Sequence, residues 1–222
     1  MHKVTNIFPT PVYVTKRETE LTSSEMEDIK DLTEKEKWRE ETGAMGQTSA
    51  EEKKFLVHRT KEHTYIFDTK LDSLKKFCEE HIDTYVNEVI SPKNPELDFY
   101  ITQSWLNWLQ PGRMHPIHSH LNSIISGIFY VSTVEGDAVQ FYDINTNAKT
   151  RINIEPGKTN FWNVSQQSLD ITNNVLLLFP SWLGHGVKQN ISKISNRLSI
   201  SFNVFVKGTI GEYYNLNALH LR

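Results

Sequence analysis

Residues 111–133 read PGRMHPIHSHLNSIISGIFYVST and join a turn, a histidine cluster and an apolar run. His115, His118 and His120 place three of the chain's nine histidines within six residues. The β-branched and aromatic run that follows them is typical of a strand. Because alternate residues of a strand point to the same side, His118 and His120 can direct both imidazoles toward one metal ion. The stretch therefore predicts a built site at the edge of a β-structure.

The second half of the chain has the pattern of an all-β fold. After Ser91-Pro92, short β-branched and aromatic runs alternate with Gly, Asn, Asp and Pro, which indicates strands and turns. Eight or nine strands at this spacing favour a jelly roll, or double-stranded β-helix, whose open mouth can hold a ligand or metal. The predicted strands cover residues 99–109, 113–118, 124–133, 138–142, 150–154, 160–164, 174–179, 185–190 and 197–206.

The first half is predicted to support this core. An opening strand lies within residues 1–15 and a charged helix within 21–41, followed by a polar segment, 42–52, that we expect to be a mobile loop or lid. Apolar residues at three- and four-residue steps predict a second helix within 68–90, with one face against a sheet. We expect a mainly β fold with flanking helices. It forms one domain over 1–222, with support from 1–98 and a jelly-roll core over 99–210.

Composition narrows the function classes. The chain has 222 residues, 38% of them hydrophobic and 11% aromatic, and a net charge of −3, so it is globular and gives no bulk reason to bind nucleic acid. No signal peptide and no apolar run of membrane-spanning length is visible, so we expect a cytoplasmic protein without membrane contact. Cys78 is the single cysteine, so a metal would need His, Asp or Glu ligands. Homo-oligomerisation and the substrate, small or macromolecular, stay open.

Two later segments can complete the site. In LFPSWLGHGV, residues 178–187, an apolar strand ends and the next strand opens with His185, which makes this residue the best third ligand for a facial triad. In NRLSISFN, residues 196–203, Arg197 and Ser199 alternate with apolar residues and so share one face. A buried arginine is costly without an anionic partner, and its planar fork suits a carboxylate. We therefore expect a dicarboxylate ligand.

The ordered motifs HPIHSH, SGIFYVS, FPSWLGHGV and NRLSISFN resemble the 2-oxoglutarate and Fe(II)-dependent oxygenase superfamily, and most closely its small bacterial and phage branch. The resemblance implies an Fe(II)- and 2-oxoglutarate-dependent dioxygenase, a hydroxylase of unidentified substrate. It makes His118 and His185 iron ligands. It assigns Arg197, with Ser199, to the distal carboxylate of 2-oxoglutarate, and it gives Tyr130 and Asn107 lesser contacts to this co-substrate.

One position departs from the superfamily pattern. The second ligand is normally Asp or Glu, whereas this chain has His120, so the predicted catalytic metal set is His118, His120 and His185. Three neutral histidines can hold a catalytic metal, but they leave its identity open between iron, zinc and manganese. Two alternatives also stay open. One is a three-histidine, cupin-type metalloenzyme that does not use 2-oxoglutarate, and the other is a non-catalytic jelly-roll binding module.

Overall fold

A computed structural model describes residues 2–33, 40–41, 57–58, 64–143 and 157–222 of the chain. Its two α-helices are α1 (Ser23–Leu32) and α2 (Asp72–Tyr85), and a π-helical turn, Val86–Ile90, continues α2. The strands of the described residues are β1 (Tyr13–Lys16), β2 (Glu40–Glu41), β3 (Val57–His58), β4 (Asp98–Leu109), β5 (His115–His118), β6 (Ile125–Ser132), β7 (Ala138–Tyr142), β8 (Gln166–Asp170), β9 (Val175–Pro180), β10 (Gly184–Val187), β11 (Arg197–Ile210) and β12 (Leu219–Leu221).

Two antiparallel sheets carry the candidate site. The larger has the order β1-β9-β6-β11-β12, with β4 paired along the other edge of β11. The smaller has the order β5-β10-β7-β8. β11 is the central strand of the large sheet because its first half lies between β6 and β4. The strands that bear the predicted ligands are therefore split between the two sheets.

Apolar side chains on both faces of the large sheet build the core. On one face, α1 and α2 pack against β4, β6, β9 and β11. On the other face, apolar residues of β6 and β9 contact those of β7 and β8 from the small sheet. The molecule thus has a helical layer, a large sheet and a small sheet, and the space between the sheets is where a jelly roll holds its ligand.

The helices follow from local sequence signals. Thr22 and Glu25 form a reciprocal capping box at the start of α1, which satisfies two backbone N–H groups that the first turn leaves unpaired. This helix ends at Leu32, so the prediction of a helix as far as residue 41 is wrong at Glu40–Glu41, which forms β2. In α2 the predicted apolar face is buried at Leu74, Cys78 and Ile82.

Most predicted strands are present, with shifted ends. The strand predicted over 160–164 is wrong because Asn160 and Asn163 accept backbone N–H bonds and fold this segment into a turn. The strand β8 was not predicted, since its sequence QQSLD has a single apolar residue. The strand predicted over 150–154 and the lid predicted over 42–52 lie outside the described residues.

Candidate active site

The three predicted ligand histidines meet between the sheets. His118 and His185 are directly paired across β5 and β10, and their ring centroids are 4.3 Å apart. The His120 ring lies 5.1 Å from that of His118 and 5.0 Å from that of His185. One ligand nitrogen from each residue lies within 4.8 Å of the other two. Three nitrogens at these separations can reach one cation after small ring rotations.

The placement of His120 differs from the sequence argument. The strand β5 ends at His118, so His120 lies in the following loop, and the two-residue strand repeat does not orient it. Instead, its backbone N–H donates to the Ser181 carbonyl at 2.9 Å, which ties this loop to the turn before His185. A backbone bond between two loops thus brings His120 to the other two rings.

Hydrogen bonds indicate one tautomer for all three rings. Nδ1 of His118 lies 2.9 Å from the Pro116 carbonyl oxygen, and Nδ1 of His185 lies 3.0 Å from that of Leu183. Nδ1 of His120 lies 2.6 Å from Oδ1 of Asn203. Since these oxygens accept, each Nδ1 carries the proton and the lone pair is on Nε2. This arrangement is the usual one for metal-binding histidines, so the residues fit a metal.

Burial disfavours a charged imidazole within the cluster. His185 is 2% exposed, and burial, together with the nearby His118, lowers its pKa to about 3. Among the described residues, no carboxylate belongs to the three-histidine group. The His115 ring lies 4.3 Å from the His118 ring, yet His115 is not a member of that group. A bound divalent cation would therefore keep its full charge within this shell.

The predicted co-substrate residues lie on neighbouring strands of the large sheet. Ser199 is paired with Asn107 on β4 and with Tyr130 on β6, and directly opposed residues share a face of a sheet. The Asn107 amide donates to Ser201 Oγ at 2.8 Å. The Tyr130 hydroxyl is buried with no hydrogen-bond partner among the described residues. Such an orphan next to Arg197 fits a pocket for a carboxylate, because a buried donor without an acceptor is costly.

Arg197 is buried, and the structure supplies a counter-ion that the sequence argument missed. Its Nε donates to Oδ2 of Asp137 at 2.8 Å, its Nη2 donates to Oδ1, and its Nη1 donates to the Lys188 carbonyl. The inference that burial of Arg197 requires a dicarboxylate ligand is therefore wrong, since Asp137 offsets the charge. Burial lowers the pKa of Arg197 to about 10, so the guanidinium is charged at neutral pH. These bonds use three of its five N–H groups.

Asp137 had no distinguishing signal in the sequence. It follows Gly136 in the segment VEGDAV, where an aspartate is most simply explained as a turn residue. It does close the turn, because the Val134 N–H donates to its Oδ2 at 2.8 Å. Its side chain is nevertheless buried and reaches across to β11. Only the tertiary fold shows the second role.

Comparisons with known proteins agree with this geometry. Residues 103–203 match a family model described as "Putative 2OG-Fe(II) oxygenase". No curated protein sequence matches. A solved structure of the non-heme alpha-ketoglutarate-dependent carbocyclase SnoK from nogalamycin biosynthesis is similar, with 11% identity, a TM-score of 0.57 and coverage of 96% of this chain and 82% of that one. A prolyl hydroxylase from Trichoplax adhaerens, solved with a hypoxia inducible factor peptide fragment, has 14% identity, a TM-score of 0.55 and coverage of 87% and 83%.

A 2OG-Fe(II) oxygenase family protein from Burkholderia pseudomallei also matches, with 9% identity and a TM-score of 0.37. The chain spans 56% of that protein's length, and 56% of the chain is covered.

Residues 103–203, fewer than half of the chain, are similar to 2OG-Fe(II) oxygenases, which agrees with the resemblance seen in the motifs, and the similar solved structures share the predicted jelly-roll fold. The description of the matched family implies Fe(II) and 2-oxoglutarate as cofactor and co-substrate. A three-histidine group fits the metal, and an unpaired buried hydroxyl beside an arginine fits the acid. In the ranges that the structure describes, no helix has both the length and the apolar character needed to span a membrane.

Proposed function

We propose that this protein is an Fe(II)- and 2-oxoglutarate-dependent dioxygenase that hydroxylates its substrate. One observation carries the proposal: three histidine nitrogens within 4.8 Å of one another share the space between the sheets with the buried, unpaired Tyr130 hydroxyl. The first group can hold a cation and the second can bind an acid. A binding module would need neither arrangement.

Each residue has a role in this proposal. His118, His120 and His185 would hold the metal, each through its Nε2. Arg197 and Tyr130 bind the distal carboxylate of the co-substrate, which completes the hydrogen bonding of the Tyr130 hydroxyl. Ser199 and Asn107 line the space between these two ends. When bound, iron and 2-oxoglutarate supply the activation of dioxygen, coupled to oxidation of the keto acid.

The chain contributes orientation and exclusion of water. His185 and Phe179 have ring centroids 4.7 Å apart, and Phe179 also packs against Phe141 at 5.2 Å. These aromatic rings form an apolar wall on one side of the three-histidine group. This apolar wall would exclude water from that side of the histidine cluster when a metal is bound.

Anaerobic spectroscopy followed by turnover tests the proposal. Protein loaded with Fe(II) should develop a visible metal-to-ligand charge-transfer band on addition of 2-oxoglutarate, and in air it should consume oxygen and release succinate even without substrate. Arg197→Met should weaken the 2-oxoglutarate dependence of both signals. Oxygen uptake that is indifferent to 2-oxoglutarate and unchanged in Arg197→Met would contradict the proposal and favour a three-histidine metalloenzyme of another chemistry.

A further inference from the structure

We infer that Asn203 is a positioning residue that fixes the orientation and the Nδ1–H tautomer of the His120 ring, an inference that rests on the proposed metal site. His120 takes the position that an acidic ligand has in the family pattern. Its Nδ1 lies 2.6 Å from Asn203 Oδ1 and 2.8 Å from Ser126 Oγ. Both of these neighbours are uncharged, whereas the family pattern has a carboxylate at the position of His120.

The serine hydroxyls next to His120 have a defined direction. Ser123 Oγ lies 3.0 Å from the Ile125 carbonyl and 3.2 Å from the Val204 carbonyl, and donation of its proton to them agrees with the Nδ1–H donor that Asn203 Oδ1 requires of His120. Ser181 Oγ, 2.8 Å away, must then donate to Ser123. Ser126 Oγ, 2.9 Å from Ser181, must in turn donate to Ser181.

This direction is consistent with the Nδ1–H tautomer of His120 that the contact with Asn203 Oδ1 indicates. Because the Ser126 proton points to Ser181, Ser126 presents only a lone pair to the ring, and Nδ1 must be the donor. Asn203 must likewise present Oδ1, so a single N–H group is shared between two acceptors. Ser126 and Ser181 are fully buried, which protects the chain of bonds from exchange with water. The lone pair of His120 is therefore fixed on Nε2, toward the metal site.

Position 203 then sets how much negative charge His120 can pass to a metal. A carboxylate on Nδ1 makes a charge-assisted hydrogen bond, which is shorter and stronger than a neutral one, and it raises the basicity of the ligating nitrogen. The amide of Asn203 gives orientation without this charge. Exchanging the amide for a carboxylate or for an apolar group should change metal affinity in opposite directions.

The test measures binding of Co(II) alone to metal-free protein, by calorimetry and by the visible d–d bands. Asn203→Asp should bind about tenfold tighter and Asn203→Leu about 10–100-fold weaker, each with a shifted band. Asn190→Ala is the matched control, because Asn190 is buried and its amide donates to the Leu109 and Ser195 carbonyls outside the cluster. This control should lose thermal stability with an unchanged Co(II) band and affinity.

A second readout does not need the metal. Long-range ¹H–¹⁵N correlation on histidine-labelled, metal-free protein should show the Nδ1–H tautomer for His120 in the wild type and in Asn203→Asp, and a mixture in the double variant Ser126→Ala/Asn203→Leu. An Nε2–H tautomer in the wild type, or Co(II) binding that is insensitive to position 203, would overturn this inference alone. Wild-type protein that binds no Co(II) would overturn the proposed metal site together with it.

Discussion

The two ends of one face of β11 bury polar groups in different ways. At Asn203, an amide and serine hydroxyls hold His120 with neutral hydrogen bonds. At Arg197, six positions away and roughly 20 Å along an extended strand, a buried guanidinium is paired with Asp137. At the Asn203 end, His120 stands where the family pattern has a carboxylate ligand. At the Arg197 end, Asp137 supplies the carboxylate that we had expected from a ligand.

The difference shows how each end can accept its ligand. At the histidine end, no carboxylate belongs to the three-histidine group among the described residues, so a bound cation would meet nitrogen ligands only in this group. At the arginine end, Arg197 is already paired with Asp137, so the carboxylate of the proposed co-substrate would have to share the guanidinium with Asp137. The Tyr130 hydroxyl is then the group that gains most when an acid binds, because it has no partner among the described residues.

The largest effect should come from removing the charge balance at Arg197. Asp137→Ala leaves a buried guanidinium without its counter-ion, so the free energy of unfolding should fall by about 3–5 kcal/mol in urea denaturation. The double variant Asp137→Leu/Arg197→Met should recover most of this loss. If Asp137→Ala costs less than about 1 kcal/mol, a value typical of surface pairs, the two ends do not differ as described.

A second substitution at Asp137 tests whether this residue and 2-oxoglutarate bind the same guanidinium. In Asp137→Asn the distal carboxylate of 2-oxoglutarate can become the counter-ion of Arg197. The increase in melting temperature on adding 2-oxoglutarate should therefore be larger in Asp137→Asn than in the wild type. An equal increase in both proteins would mean that Asp137 and the ligand do not share the guanidinium.

The metal end should respond to pH. The pKa of His185 is near 3 in the fold and 6.5 in its ordinary state, so between these values the unfolded chain binds the additional proton. The contribution of neutral, buried His185 to the free energy of unfolding is therefore fully present above about pH 6.5. It is lost as the pH falls toward 3, by up to about 1.4 kcal/mol per pH unit. Urea denaturation of metal-free protein at a series of pH values measures this slope. His185→Gln should flatten it, and an unchanged slope in that variant would assign the effect elsewhere.

A smaller effect is expected at Tyr130. Tyr130→Phe removes a buried hydroxyl without a partner, so the free energy of unfolding should stay equal or rise by up to about 1 kcal/mol. Affinity for 2-oxoglutarate should fall by about tenfold, equivalent to roughly 1.4 kcal/mol. Tyr85→Phe is the control, because Tyr85 is buried in the helical layer. Equal affinities in all three proteins would remove Tyr130 from the acid pocket.

The site residues could be predicted from the sequence where a potential metal ligand lies next to a recognisable strand. His185 follows an apolar strand, and His118 and His120 belong to the histidine cluster at 115–120. The structure brings these three histidines together. Asp137 and Asn203 could not be assigned in this way, because their partners are 60 and 83 positions away and a turn aspartate or a strand asparagine has no local signature. At 160–164 the local signal predicted a strand that does not form. The hydrogen bonds of the Asn160 and Asn163 side chains outweigh the strand propensity of the aromatic residues between them.

The most direct test is a crystal structure from crystals that are grown without oxygen and soaked with Mn(II) and an unreactive 2-oxoglutarate analogue. We expect one ion bound by Nε2 of His118, His120 and His185, with the distal carboxylate of the analogue on Tyr130 and Arg197. An ion held by other residues, or an analogue that leaves the Tyr130 hydroxyl without a partner, would contradict the account.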